Sequence, residues 1–463
     1  MSGEGMRSMR ILLVSPANPL GLGSGFPPLS LATIARHVPE DCTVTIVDEG
    51  VDGLLDVDAI TADLVGITVN TVTARRAYGL SDDIRARGIP TVLGGIHPTV
   101  VPDEASVHAS AIVVGNGEPA MEEIVSDAAR GTLRSLYRPG VFDLAASRVP
   151  RRDLFSRKYA TASVQTSRGC PFDCSFCSVH RVHGRHYRTK PMDVIERDLA
   201  ALDKSIVLLV DDNFIGVGPR AEERAMDLLA LLKAHRINWI GQTAINIAKN
   251  PRILDLCRES GAIAFYVGFE SLNDEFLRSV NKSVNLKQTV ASYNGVIDAI
   301  HDHGICVLGS FIYGTDYDTP DSLRMLRDFI VGARIDTTYV KPLTPFPGTA
   351  VYDELSRDGR LFLDRYWLEN PYPIFTFKPA RLTMEELLQA SVDFMNLYTL
   401  PRSSLLFGKS LLSTRNLWGS AVCFLTNYTD YREYKAFYRK NRDHLAGIGR
   451  PGALPRRDRP LAE

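Results

Sequence analysis

A chain of 463 residues has room for two or three domains with buried cores. Its 53 Lys and Arg balance 54 Asp and Glu, so no net field draws it to nucleic acid or to an anionic membrane. Seven cysteines, an odd number with three on one loop, exclude a disulfide framework and fit a reducing cytoplasm; Met1 to Arg10 is polar with no signal-peptide pattern, and no apolar run reaches bilayer-spanning length.

Residues 9–140 alternate strand and helix. Strands are expected at Ile11–Val14, Val44–Asp48, Leu64–Val69, Thr91–Gly95 and Ala111–Gly115, and helices at Leu29–Val38 and Ala74–Arg87. Short, almost wholly apolar strands separated by helices mean an α/β domain with a doubly wound, Rossmann-like parallel sheet covered on both faces. Such a sheet binds its ligand at the carboxyl ends of its strands. The loops there are Ser15–Pro28, Thr68–Thr73, Gly94–Thr99 and Gly115–Pro119, rich in the small and polar residues that let backbone approach a large ligand. Taken singly, each is explained by ordinary turn chemistry.

Residues 141–160, with Pro150 and the cluster Arg151-Arg152-Asp153, read as a linker. From 161 to 370 the alternation resumes, with strands at Ala162–Gln165, Ile206–Val210, Trp239–Thr243, Ala264–Val267, Val307–Phe311 and Thr338–Leu343. Helices are expected at Met192–Leu202, Ala221–His235, Pro251–Ser260, Asn285–His303 and Ser322–Ala333. Six repeats are too few for a closed eightfold barrel, so an open, partial (β/α)6 barrel is expected, with its chemistry on the loops at the carboxyl ends of its strands. Residues 371–445 form a small, mostly helical region: amphipathic helices at Leu382–Leu397 and Tyr431–His444 surround an apolar stretch, Leu405–Leu425, suited to core packing or to covering a substrate. The tail 446–463, rich in Pro and Arg, reads as disordered.

The most informative stretch is Gly169-Cys170-Pro171-Phe172-Asp173-Cys174-Ser175-Phe176-Cys177, a C-x3-C-x2-C loop just after a proposed strand. Three thiolates can hold three irons of a 4Fe-4S cube and leave the fourth iron open to a small molecule. The rival is a structural zinc completed by His180, His183 or His186. Cys42, Cys257, Cys306 and Cys423 stand alone in apolar surroundings and read as buried thiols.

Cys170, Cys174 and Cys177, with aromatic Phe176 before the last, resemble the signature of the radical S-adenosylmethionine enzymes. The resemblance implies an iron-sulfur cluster at the three cysteines and S-adenosylmethionine on the open iron, next to Phe176. Gly268-Phe269-Glu270-Ser271 is similar to the family's ribose-contact motif, and Asp211-Asp212-Asn213 to its motif for the methionine amino group. Leu308 to Gly314, with Ser310, looks like the strand against which adenine packs; Tyr187-Arg188 and the loop Thr344 to Thr349 also match family patterns, while Lys341 is given no role.

Gly94-Gly95-Ile96-His97-Pro98-Thr99 followed by Gly115-Asn116-Gly117-Glu118-Pro119 resembles the cobalamin-binding domain that precedes the radical core in one large subgroup, and Phe26 to Leu31 is similar to that domain's first helix. This implies cobalamin contacts from Ser15, Thr68, Asn70, Gly94, Gly95, His97, Gly115, Gly117 and Glu118. The Asp-x-His-x-x-Gly triplet that supplies a lower axial histidine is absent, since Asp48-Glu49-Gly50-Val51-Asp52-Gly53 has glycine in its place; His97 is the alternative ligand. The subgroup implies a C-methyltransferase that works on an unactivated carbon of a small or lipid-like metabolite through a 5'-deoxyadenosyl radical, with flavodoxin or ferredoxin as electron donor. A cyclase or oxidoreductase using the same cofactors is the nearer rival, and a zinc-stabilised corrinoid-binding sensory module the farther one.

Overall fold

The computed structural model describes residues 8–18, 26–156, 159–184, 186–286, 288–369 and 375–447. The glycine-rich part of the Ser15–Pro28 loop, Pro371 and the expected tail beyond 447 lie outside them. The chain divides into two compact units, residues 1–169 with 178–208, and residues 170–177 with 209–463.

The first unit is built on a six-stranded parallel sheet. Its strands are β1 (Arg10–Ser15), β2 (Thr43–Asp48), β3 (Leu64–Thr68), β4 (Thr91–Gly94), β5 (Ala111–Val113) and β6 (Leu136–Tyr137), in the order β2-β1-β3-β4-β5-β6. The order runs outward from β1 in both directions, which places the switch point between β1 and β3, where doubly wound sheets open a crevice. Ile11, Leu13, Leu64, Val92 and Val113 pack against Leu31, Ala32 and Ala35 of the helix Leu29–Ala35 and against Ile124 and Val125 of Met121–Ala129. That burial explains why the strands carry no polar alternation. This unit also holds β7 (Ala162–Val164), a two-residue hairpin formed by β8 (Ser167–Arg168) and β9 (Arg188–Thr189), and most of β10 (Ile206–Leu209).

In the second unit β11 (Asn238–Thr243), β12 (Ala262–Glu270), β13 (Cys306–Tyr313) and β14 (Thr337–Pro342) are successive parallel neighbours. Between them run the helices Pro251–Glu259, Val290–Asp302 and Pro320–Gly332, a βαβ succession of the kind expected for an open barrel. A register shift between Gly268 and Glu270 marks a bulge at the end of β12, which carries that strand as far as Glu270 rather than ending it at Val267. Helices Met384–Met395, Leu400–Thr414 and Leu417–Gly447 complete the unit, so the stretch 405–425 is two helices broken at Arg415 and Asn416. The last helix is tied to the strand starts: Asn416 donates to the Gly304 carbonyl at 2.9 Å and Asn427 to that of Asp336 at 2.8 Å. Among the described residues no helix is long and apolar enough to cross a membrane.

Candidate functional site

The carboxyl edge of the first sheet is drawn together by backbone. Val69 N–H donates to Gly94 O at 2.8 Å and His97 N–H to Val69 O at 3.1 Å. Gly95 has φ +108°, and a Cβ there would lie 2.8 Å from Val69 O, so only glycine lets the loops after β3 and β4 meet. The Thr99 hydroxyl donates to Gly95 O at 2.7 Å and accepts from Gly115 N–H at 3.1 Å, which adds the loop after β5. At Gly115, φ +100°, an added Cβ would meet nothing within 4 Å, and at Gly94 only Val113 Cβ at 4.0 Å, so the edge is open above both glycines. Thr68 ends β3, Ser15 ends β1, and exposed Asn70 accepts from Thr73 N–H at 3.0 Å as the cap of a short turn. These features fit a large flat ligand such as a corrinoid, laid across the carboxyl edge.

Two of the residues expected to face that ligand are engaged elsewhere. His97 is wholly buried; its Nδ1 lies 3.2 Å from Thr71 Oγ1 and its Nε2 3.3 Å from Glu104 Oε1. The ring is thus engaged at both nitrogens, and the short helix Ile96–Val100 carries it. Glu118 is buried and ion-paired with the Arg168 guanidinium, which also donates to Asn116 Oδ1 at 2.9 Å and Gln165 Oε1 at 2.8 Å. Gly117 packs on Ile34, whose Cδ1 lies 2.9 Å from where a Cβ would stand. Where the sequence has glycine at 50, the preceding Glu49 is buried instead and holds the β1 loop: it accepts from Ala17 N–H at 2.9 Å, Leu55 N–H at 2.9 Å and Arg76 Nε at 3.0 Å.

The segment leading to the cysteines is closely packed at Gly169. Gly169 has φ +87°, and a Cβ would lie 2.5 Å from the His186 carbonyl oxygen. The neighbouring His183 is neutral over the physiological range: burial, helped by Arg168 and Arg188, lowers its pKa to about 4. Arg188 donates to the Phe142 carbonyl at 2.9 Å.

In the second unit the loop Cys170–Cys177 is held at its far end. Ser175 N–H donates to Val280 O at 3.0 Å, Val351 N–H to Ser175 O at 3.3 Å, and Cys177 N–H to Cys174 O at 3.0 Å. Phe176 packs with Phe276, Val280, Leu343, Leu355 and Phe377, so the aromatic before the last cysteine anchors the loop in a small core. None of the three thiols is in a disulfide with another described residue, and Cys174 is buried. Burial pushes Cys174 up to about 12, opposed by Lys282 and assisted by Cys177, Glu270 and Cys170; Cys170 is raised in the same way. Among the described residues no three His, Cys, Asp or Glu side chains converge as ligands of one metal ion do. Cys170 and Cys177 both lie close enough to Cys174 to raise its thiol, and a cube seats each of three such sulfurs on a different iron.

The same thiols face a buried ion pair. Glu270 ends β12 with φ +63°, a left-handed conformation that side chains adopt at a cost of about 1–2 kcal/mol. Its carboxylate accepts from Lys282 Nζ at 2.8 Å, both side chains about one-tenth exposed. Burial disfavours the Lys282 charge, but Glu270 and the thiols of Cys174 and Cys170 more than offset this and hold its pKa above the ordinary lysine value. Asn285 fixes the strand end by donating to Gly268 O at 3.0 Å and Phe269 O at 2.8 Å. Asp211, wholly buried, follows β10, and Asp212 lies close enough to raise the Cys170 thiol. Ser310 lies on β13 in register with Gly268, half-buried on the same face. Lys282 was not foreseen from the sequence; no motif marks it, and only its position one turn after the helix Asp274–Ser279, facing back to β12, gives it meaning.

Comparison with known proteins agrees with this geometry. A radical SAM superfamily model matches residues 164–330, and a B12 binding domain model matches residues 22–125. The chain is 31% identical over 407 residues to the bacteriochlorophyllide d C-12(1)-methyltransferase of Chlorobaculum tepidum, covering 84% of this chain and 87% of that one. It is 29% identical to the hopanoid C-2 methylase of Rhodopseudomonas palustris, over 78% of this chain and 72% of that one. Among solved structures, the radical S-adenosylmethionine methyltransferase TsrM of Kitasatospora setae, with cobalamin and a [4Fe-4S] cluster bound, shares the fold at a TM-score of 0.65 and 17% identity, over 84% of this chain and 89% of that one.

Proposed function

Because the chain belongs to the cobalamin-binding radical S-adenosylmethionine family and is a cobalamin-dependent methyltransferase of that family, with a [4Fe-4S] cluster, S-adenosylmethionine and cobalamin as its cofactors, we propose that it methylates an unactivated carbon of a small, lipid-like metabolite. Carbon without acidity or nucleophilicity resists polar attack; when bound, the cluster and the corrinoid supply one-electron chemistry and a transferable methyl group. The two curated relatives act on a bacteriochlorophyllide and a hopanoid, both polycyclic and largely apolar, which supports a substrate of that character.

The residues divide the work. Cys170, Cys174 and Cys177 hold three irons and leave one for the amino and carboxylate groups of S-adenosylmethionine. Glu270 takes the ribose hydroxyls, and its left-handed backbone, fixed by Asn285 and Lys282, aims the carboxylate without reorganisation. Asp211 receives the methionine amino group, while Phe176 and Ser310 border the adenine. Ser15, Thr68, Asn70, Gly94, Gly95, Gly115 and Gly117 form the cobalamin edge. An external flavodoxin or ferredoxin supplies the electron.

The observation that carries this reading is the shared cation: Lys282 joins strained Glu270 to the cysteine loop within one compact unit. The test is turnover of anaerobically reconstituted protein with methyl-labelled S-adenosylmethionine and either bacteriochlorophyllide d or a hopanoid. Label in the product supports methyl transfer; release of deoxyadenosine with an unlabelled product refutes it.

A further inference from the structure

One polar cluster in the second unit takes no part in holding a cofactor. Register places Gly268, Ser310 and Tyr339 side by side across β12, β13 and β14, so Tyr266, two residues before Gly268, and Lys341, two after Tyr339, share their face. The Tyr266 hydroxyl donates to that of Tyr339 at 2.9 Å, with ring centroids 5.2 Å apart. The helix Leu417–Gly447 brings Tyr434 and Asp430 to the same place: Lys341 Nζ stands 4.1 Å from the Tyr434 ring centroid and 6.0 Å from that of Tyr339.

Lys341 makes no hydrogen bond or ion pair with any described residue, and its side chain is half-buried. Burial lowers its pKa to about 8 although Asp430 acts to raise it, and Asp430 is itself lifted above the usual carboxylate range by burial. A lysine held on a strand, capped by an aromatic face and without a carboxylate at ion-pair distance has donor capacity left over. The tyrosine hydroxyl pair beside it offers further hydrogen bonding.

We infer that Lys341, with the Tyr266–Tyr339 pair, is the subsite for a carboxylate group carried by the substrate. A carboxylate fits better than a phosphate monoester: Lys341 is one cation, which balances a single negative charge, and Asp430 beside it, lifted by burial, leaves nothing to balance a second. Position agrees as well. Tyr339 lies two strands from Gly268, about 10 Å at the usual strand spacing, and a Cβ at Gly268 would stand 2.5 Å from Glu270 Oε1, so the row runs directly beneath the proposed S-adenosylmethionine site. A substrate anchored by its acid at Lys341 therefore presents carbon about a ring system away toward that site. This rests on the methyltransferase reading for its purpose but not for its measurement.

The test is equilibrium dialysis of the reconstituted holoenzyme at pH 7 with 1-pyrenebutyrate and with its methyl ester, an apolar body with and without the acid. Native protein is expected to bind the acid at least tenfold more tightly than the ester. Lys341→Met removes that preference and Lys341→Arg keeps it, with S-adenosylmethionine binding, measured the same way, unchanged in both. Equal binding of acid and ester, no binding of either, or a preference that survives Lys341→Met overturns the assignment. No turnover enters the measurement, so failed methyl transfer and a failed carboxylate subsite give different results.

Discussion

The Glu270–Lys282 pair can be tested by a double-mutant cycle. Glu270→Gln keeps the shape and the left-handed backbone of Glu270 but leaves the Lys282 ammonium unpaired, and Lys282→Met strands the carboxylate in the same place. Stranding one partner of a buried pair costs about 3–5 kcal/mol, whereas replacing both partners is close to neutral. The strain at φ +63° is common to native protein and variants and cancels. Each single variant should therefore melt about 10 °C lower, at roughly 2–4 °C per kcal/mol for a unit of this size, and the double variant within a few degrees of native. Thermal unfolding followed by circular dichroism on metal-free protein at pH 7.5 gives all four corners of the cycle. S-adenosylmethionine affinity of the reconstituted forms separates binding from folding, since the double variant recovers stability but not the ribose contact. Single variants that melt within 2 °C of native, or a double variant whose loss is the sum of the two, would refute the reasoning.

Replacing any of Cys170, Cys174 or Cys177 by Ala should abolish iron and sulfide retention and the associated brown absorbance while leaving the far-ultraviolet spectrum unchanged; metal analysis checks this. Gly169→Ala places a methyl 2.5 Å from the His186 carbonyl and forces a positive φ, so it should destabilise the first unit by about 2–4 kcal/mol and lower cluster occupancy, read by denaturant unfolding and iron content. His183, whose pKa near 4 lies below the ordinary 6.5, makes the unfolded chain bind more protons between those values, so stability falls as pH drops through that window, by up to about 3 kcal/mol, and His183→Phe should flatten this acid limb. Lys341 is the basic counterpart: with its pKa near 8 against 10.5 when unfolded, facing Asp430, Tyr266, Tyr339 and Tyr434, its burial is most unfavourable below pH 8. Lys341→Met should therefore stabilise the protein at pH 7 by up to about 3 kcal/mol and lose that advantage toward pH 10.5, as melting temperatures across the range will show.

The strands were legible because burial on both faces leaves unbroken apolar runs such as Ile11–Val14 and Leu64–Val69. β6 and the β8–β9 hairpin were not, since two-residue strands carry no pattern and are held by pairing alone. Glu270 could be placed at a strand end from Gly268-Phe269-Glu270-Ser271, but its left-handed φ depends on the bulge against β13, a tertiary fact. The partners of its neighbours were equally hidden. Arg168 and Glu118 are 50 residues apart, and His97 meets Thr71 and Glu104 across two loops, so the sequence marks the polar residues but not whom they face.

Lys282 gives the site a sequence of charge states. In the metal-free protein burial holds the Cys174 thiol protonated, with a pKa near 12, and Lys282 donates to Glu270. Thiolates, not thiols, bind iron, so loading the loop must expel protons from Cys170, Cys174 and Cys177 and bring new negative charge toward the same ammonium. Each charge added to the cluster then competes with Glu270 for Lys282 and loosens the carboxylate from it. If Glu270 takes the ribose hydroxyls as proposed, it would be least free to accept them when the loop is empty, and ribose binding is expected to rise with iron content. With Lys282→Met this order is lost, and any residual ribose recognition should become independent of iron content.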